Sequence, residues 1–296
     1  MTKKRKRFNF TIIVVLLLFA FILNAFKIPL EDNDWNDYGL KGKVKSFKMT
    51  TYKAEIHFGN IVKGERVEDL LDDRDKEYFF DVNGNVRRVN DFNQDGTIRY
   101  RLEYKYDENG RNYETNSYRG DGILDDKCIN RFNNKGKVDL RNNYNTEGKL
   151  YRSEYLRYND KELISERKLI YNDGSSTIIS YKYNADSKLI LENWIYDSIF
   201  KEEHKELNID NSFSLYEYDN NGNKIEEVWS SGTKFTYKYN NQNTLIEIYK
   251  FADDGSLIER QKFTYEYDKI GNWIKRITYL NDKPIYIKER LFEYYD

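Results

Sequence analysis

The chain has one cysteine, two prolines, two histidines and two methionines in 296 residues. A single thiol, Cys128, cannot close an internal disulfide, so the fold depends on its core and its backbone ladders. Nothing beside Cys128 would lower its pKa, and it reads as a small strand residue. With proline only at positions 29 and 284, long stretches can donate every backbone N–H, as sheets require. His57 and His204 have no ligand-spaced neighbours, so zinc is not expected. A Gly-x-Ser-x-Gly elbow and a phosphate loop are both missing. Basic and acidic residues nearly balance, 49 against 50, which does not suggest a nucleic-acid partner, since that usually needs a basic patch.

Aromatic residues are abundant: 27 Tyr and 17 Phe. That content argues against disorder despite 33% charged residues. The aromatics are also periodic. An aromatic residue, then Asp or Asn, then a Gly a few residues later recurs, with anchors at 80, 92, 106, 118, 132, 144 and 158. The alternating steps of 12 and 14 residues indicate a repeat architecture. Before the turns the period is two: Phe263, Tyr265 and Tyr267 point one way, Thr264, Glu266 and Asp268 the other. Asp or Asn at a strand end bonds its own backbone two residues on, and Gly then supplies positive φ. The expected fold is all-β: a long antiparallel meander of roughly sixteen strands, more than an open sheet tolerates without curling. It should roll or spiral with Tyr and Phe inside, after an N-terminal apolar helix.

Lys3, Lys4, Arg5, Lys6 and Arg7 precede an apolar run, Phe10 to Phe26, which as a helix would span about 25 Å. Two readings stand: a secretory signal cleaved after Ala25, for which Leu23 at −3 is a poor fit, or an uncleaved anchor. Both export the rest of the chain. The expected organisation is signal or anchor at 1–26, polar linker at 27–36, an N-terminal β segment at 37–79 with a loop or short helix at 62–76, and the array at 80–296.

The unit Tyr-x-Tyr-Asp-x-x-Gly-Asn-x-Ile resembles the YD repeat of Rhs proteins and related bacterial surface and toxin proteins. Tyr216, Tyr218, Asp219, Gly222, Asn223 and Ile225 match throughout, as do Tyr265, Tyr267, Asp268, Gly271, Asn272 and Ile274. Tyr104, Tyr106, Asp107 and Gly110 match with Arg111 in the Asn position, and Phe79 to Val86 is a Phe version. Units at Tyr158, Tyr183 and Tyr196 lack the Gly. Large members of that family resemble shells of spiralling hairpins enclosing a toxic segment, with a Pro- and Asp-rich core module. This chain departs from that plan: the proline-rich module is missing, and the array runs to Asp296, so no toxin segment is expected. MORN-like repeats lack the Tyr-x-Tyr-Asp lead and fit less well. The resemblance implies a carbohydrate-binding or cell-surface interaction module.

No catalytic residue, cofactor or metal is expected. Gly120 to Asp126 is acidic but lacks calcium-loop spacing, and hairpin turn chemistry explains it. Paired carboxylates such as Asp72-Asp73, Asp125-Asp126 and Asp253-Asp254 are what chance supplies among 50 acidic residues, which leaves a glycan hydrolase as a minor alternative. Trp194, Trp229 and Trp273 are the ligand-stacking candidates if exposed as a row, and cross-strand packing is the competing role. The expected function is an exported, non-enzymatic β-repeat scaffold at the cell envelope. Its partner would be an envelope glycan or another protein, and only the N-terminal segment would meet the membrane. An immunity protein neutralising a toxin is the rival from another class.

Overall fold

The computed structural model describes residues 33–67, 75–204 and 210–296. The expected apolar helix and signal or anchor of 1–26 lie outside them, as do the linker residues before 33 and the segment 68–74. A one-turn helix, α1 (Asp34–Asp37), precedes β1 (Val44–His57), β2 (Asn60–Arg66), β3 (Lys76–Phe80), β4 (Val86–Phe92), β5 (Ile98–Tyr106), β6 (Asn112–Arg119), β7 (Leu124–Phe132), β8 (Val138–Asn145), β9 (Leu150–Tyr158), β10 (Ile164–Tyr171), β11 (Ser176–Tyr183) and β12 (Leu189–Tyr196). A second short helix, α2 (Ser198–Glu203), leads to β13 (Ser212–Tyr218), β14 (Lys224–Trp229), β15 (Lys234–Tyr239), β16 (Leu245–Phe251), β17 (Leu257–Tyr267), β18 (Trp273–Leu280) and β19 (Lys283–Tyr294). Two boundaries need correction. The end of the linker is helical from Asp34, and β2 continues to Arg66 where a break was expected, because β1 extends far enough to pair with it.

From β3 to β19 each strand pairs antiparallel with the next. The sheet does not remain a rolled meander: β1 bonds β19 on one edge and β3, then β2, on the other. The result is a closed barrel in which β1 occupies two strand edges that would otherwise be free to pair with other chains.

Residues directly opposite in an antiparallel pair share a face, so the register separates the two walls. Tyr104 opposes Thr115, Thr115 opposes Cys128, Cys128 opposes Asn143, and Asn143 opposes Arg152. This is the inward face. Among strand residues it carries every buried apolar side chain except Ile287. The outward face carries charge: Arg101, Glu103 and Lys105 on β5, Lys234 and Lys238 on β15, Arg260, Lys262 and Glu266 on β17. Apolar outward residues such as Tyr155, Ile195, Phe213 and Leu215 alternate with Lys168, Lys182 and Glu217. A lipid-facing wall needs an apolar band about 25 Å tall, so this pattern suits water.

The turns after β3, β5, β7, β9, β11, β13, β15 and β17 form one rim, the near rim. Asp81 accepts the backbone N–H groups of Asn83 and Asn85 at 2.9 and 3.0 Å, and the N–H of Gly84 closes the turn on the Asp81 carbonyl at 3.0 Å. Asp107, Asp219 and Asp268 repeat this pattern with Gly110, Gly222 and Gly271. Where Gly is missing the turn survives, because Glu162, Ser187 and Asn243 take φ of 61°, 63° and 58°. Gly84 has an additional role. At φ 85° it supports Trp35, whose ring carbons would lie 2.7 Å from an added Cβ.

The tyrosine of each unit has a function that its spacing did not reveal. Tyr106, Tyr158, Tyr183, Tyr218 and Tyr239 donate their hydroxyls to the carbonyls of Val86, Val138, Ile164, Leu189 and Lys224, at 2.7 to 2.9 Å. Each bond ties a unit to the one before it. In the last unit Tyr265 makes the bond, to Leu245, while Tyr267 reaches Thr244 Oγ1 at 3.4 Å. Phe132 has no hydroxyl, and there Asn130 donates to the Asn112 carbonyl at 2.9 Å. Changing Tyr158 to Phe should cost about 0.5–1.5 kcal/mol in urea unfolding, the net worth of one such bond. Phe132→Leu removes no such hydroxyl and is the comparison.

Candidate functional site

Three β-strands build a trough on the inward wall, close to the far rim. Trp194 on β12 opposes Ser212 of β13, and Ser214 of β13 opposes Trp229 of β14. Two indoles therefore flank the stretch of β13 whose inward side chains are Ser212 and Ser214. With neighbouring strands about 4.8 Å apart, the two walls stand roughly 10 Å apart at the backbone. The serine hydroxyls are engaged with Tyr196 and Tyr216.

Each indole is oriented by a carboxylate two residues back on the same face. Trp194 Nε1 donates to Glu192, and Trp229 Nε1 donates to Glu227 at 2.6 Å. Glu227, only 4% exposed, also accepts from the Tyr237 hydroxyl at 2.9 Å and from Lys224 Nζ at 2.5 Å. Glu192 is the less supported of the two. Burial, with the Glu227 charge adding to it, pushes its pKa up despite the Trp194 and Arg167 contributions that oppose the shift. Towards the far rim, Trp194 continues into an aromatic stack: Tyr196 at 6.3 Å, Phe200 at 5.0 Å from Tyr196, and the His204 ring at 4.3 Å from Phe200. The Asp197 carboxylate caps α2 by accepting the Phe200 N–H at 2.7 Å, which sets the position of Phe200.

Trp194 and Trp229 are thus brought together, and Trp273 is not. Trp273 lies on β18 beneath Arg290, whose guanidinium is 3.7 Å from the ring centroid, and beside Tyr265 at 6.2 Å. All three indoles are half-buried, so they do not make an exposed row. The repeat residues Tyr106, Asp107, Gly110, Tyr218, Asp219, Gly222, Tyr267, Asp268 and Gly271 hold the near rim, away from the trough. Glu192 and Glu227 went unnoticed in the sequence. The available signal was Glu-x-Trp, repeated as Glu192-Asn193-Trp194 and Glu227-Val228-Trp229, because i and i+2 share a strand face. Asp125-Asp126 lies at a register shift between β6 and β7, where burial first, and then the Asp125 charge, raise the Asp126 pKa, and no ligand-like partner joins the pair among the described residues. Asp72-Asp73 lies outside the described residues.

The remaining candidates are structural. Cys128 faces inward, half-buried, and burial raises its pKa, as expected of an inert thiol. His57 is exposed beside Glu55 at 3.0 Å. Asp121 accepts the Ile123 N–H at 3.0 Å, an ordinary turn contact, and no cluster of metal-ligating side chains occurs among the described residues.

No family model matches the chain, and no curated protein does. Among solved structures, a porin-like protein from Bacteroides uniformis is similar with a TM-score of 0.44 at 10% identity, covering 86% of this chain and 98% of that one. A porin-like protein from Bacteroides vulgatus gives 0.20 at 14% identity, covering 86% and 99%. The TcdB2-TccC3 structure gives 0.36 at 12% identity, covering 74% of this chain and 12% of that one. Likenesses at these scores assign neither family nor activity, and the functional reading rests on the chain's own residues.

Proposed function

We propose that this protein is an exported, non-enzymatic YD-type repeat scaffold that binds carbohydrate in the Trp194–Trp229 trough. The observation that carries the reading is two indoles on alternate strands with a serine floor between them and a carboxylate fixed beside each. Sugars offer flat C–H faces to aromatic rings and hydroxyl donors to carboxylates, and this wall supplies both partners. Binding rather than turnover is favoured because Glu227 is already engaged by Trp229, Lys224 and Tyr237, which leaves it poorly suited to shuttle a proton. The basic-then-apolar sequence at 3–26 supports export, and the charged outward wall suits an aqueous compartment.

The test is tryptophan fluorescence titrated with a panel of envelope and plant oligosaccharides. At least one should give saturable binding, and Trp194→Ala with Trp229→Ala should weaken it at least tenfold. Product formation during the titration would replace the scaffold by a hydrolase. Saturable binding unchanged by both substitutions would remove the trough as the site.

A further inference from the structure

A cavity of about 290 Å³ opens on the inward wall of β3 to β6, several strands away from the trough. Its floor is aliphatic. Val89 of β4 and Leu102 of β5 are directly opposite one another, with Tyr78 of β3 beyond Val89 and Ser117 of β6 beyond Leu102. Two residues towards the far rim, the same face carries Lys76, Asp91 and Tyr100, again opposite one another in turn. Two residues towards the near rim it carries Tyr104, and Tyr38 joins from the segment after α1, its ring 4.9 Å from that of Tyr78. An apolar floor is therefore bordered by polar side chains on every side. Tyr100 is 36% exposed, which leaves the far-rim side open to solvent.

The tyrosines of this border differ from those that link the repeat units. Tyr106 and Tyr158 donate to carbonyls, but the hydroxyls of Tyr38, Tyr78 and Tyr104 make no hydrogen bond among the described residues. Tyr78 is nevertheless only 9% exposed, and a buried tyrosine hydroxyl ordinarily has a partner. Burial raises the pKa of all three, Tyr78 to about 12, and the nearby Tyr78 adds to the shift at Tyr38 and Tyr104. All three therefore stay protonated and able to donate into the space they share. Lys76 and Asp91, opposite in register, bring one charge of each sign, so the cavity favours neither anions nor cations.

We propose that this cavity binds a single uncharged pyranose, with a C–H face of the ring on Val89 and Leu102 and its hydroxyls directed at the polar border. The volume lies at the low end of the roughly 300–1,000 Å³ typical of small-molecule pockets, which suits one ring rather than a chain. A pyranose carries hydroxyls around its whole edge and C–H groups on its faces, and the border and floor have the complementary pattern. A phenol would cover the same floor but reach only one or two of the border groups, leaving the others unpaired in a partly dry site. The cavity is separate from the trough, and the proposal does not rest on the trough reading.

Saturation-transfer NMR titration of the full chain tests this with glucose, galactose, mannose and rhamnose, and with phenol as the aromatic comparison. At least one of the four sugars should bind saturably and more tightly than phenol. Tyr104→Phe should weaken that binding at least fivefold without lowering the melting temperature, since its hydroxyl has no partner to lose in the empty protein. Tyr78→Phe carries the same test if the first variant does not fold. The Trp194→Ala, Trp229→Ala variant should bind the monosaccharide as the unaltered chain does, so failure of the trough reading leaves this result standing. Absence of binding by all four sugars, tighter binding of phenol, monosaccharide binding lost with the two tryptophans, or binding unchanged in both tyrosine variants overturns the proposal.

Discussion

Replacing Phe47 by alanine is expected to lower the unfolding free energy by about 3–5 kcal/mol, the cost of emptying a large buried aromatic site. Phe47 is 1% exposed, and its ring stacks on Tyr78 at 4.6 Å and 18°. It also meets Phe292 at 5.6 Å, Phe80 at 6.1 Å and the edge of Tyr38 at 6.1 Å. These partners come from β3, β19 and the segment after α1, so one side chain joins the first, third and last strands of the barrel. The helix α1 and the segment after it are themselves pinned to the near rim. Trp35 Nε1 donates to the Val44 carbonyl at 2.7 Å, Asp34 accepts from Val86 N–H at 2.7 Å, and Asn272 exchanges two 2.8 Å bonds with the backbone of Lys41. Urea unfolding measures the loss. Hydrogen exchange should show protection falling first along β1, β3 and β19, with β9 to β11 retaining theirs, because the seam is the one closure that strand-to-strand succession does not provide. A loss spread evenly around the barrel would contradict the seam's special role.

The second large effect is electrostatic and depends on pH. Glu154 is 2% exposed and bonded to Arg167, with Arg141 at 3.7 Å. Burial works against its charge, but Arg167, Arg141 and the hydrogen bond outweigh it and hold its pKa below the ordinary glutamate value. Its contribution to stability is therefore present above that ordinary value and is lost as pH falls through the lower, folded one. Glu154→Gln should cost about 3 kcal/mol at pH 7, since it leaves buried Arg167 without its anion, and the deficit should shrink in acid. Glu192 has the opposite sign. Its raised pKa makes a contribution that is present below the ordinary value and is lost as pH rises through the folded one. Glu192→Gln should therefore be neutral or stabilising at pH 7 and should lose that advantage near pH 4. Denaturant midpoints of both variants at pH 7 and pH 4 decide the matter, and parallel behaviour would exclude these assignments.

Much of the barrel's local structure was readable one residue at a time. An Asp or Asn that bonds its own backbone, followed by a residue that tolerates positive φ, is a local device. It works at Asp107 and Gly110 for the same reasons that it works at Asp219 and Gly222. Local chemistry also explains why the Gly-less turns at Asn159 and Asn184 hold, since the Asx bonds persist while Glu162 and Ser187 accept the strained φ. The trough was less readable. Trp194 and Trp229 were identifiable as aromatic candidates, but their meeting depends on Ser212 and Ser214 lying between them in register, across a connection that contains α2. Trp273 belongs to the same residue class and has the same alternation, yet it serves the closing seam, because its neighbour on β19 is Arg290.

The sequence by itself determined the strand period, the turn positions, the antiparallel order of β3 to β19 and the inward orientation of the repeat-unit tyrosines, since all of these follow from side-chain alternation and turn chemistry within some 26 residues. Only the tertiary structure decided that β1 joins β3 to β19 and that tyrosine hydroxyls link successive units. Those features depend on contacts between residues up to 250 positions apart, such as Val44 with Tyr294. No local pattern carries that information, because any strand edge can satisfy another, and the geometry of the closed ring selects the pair.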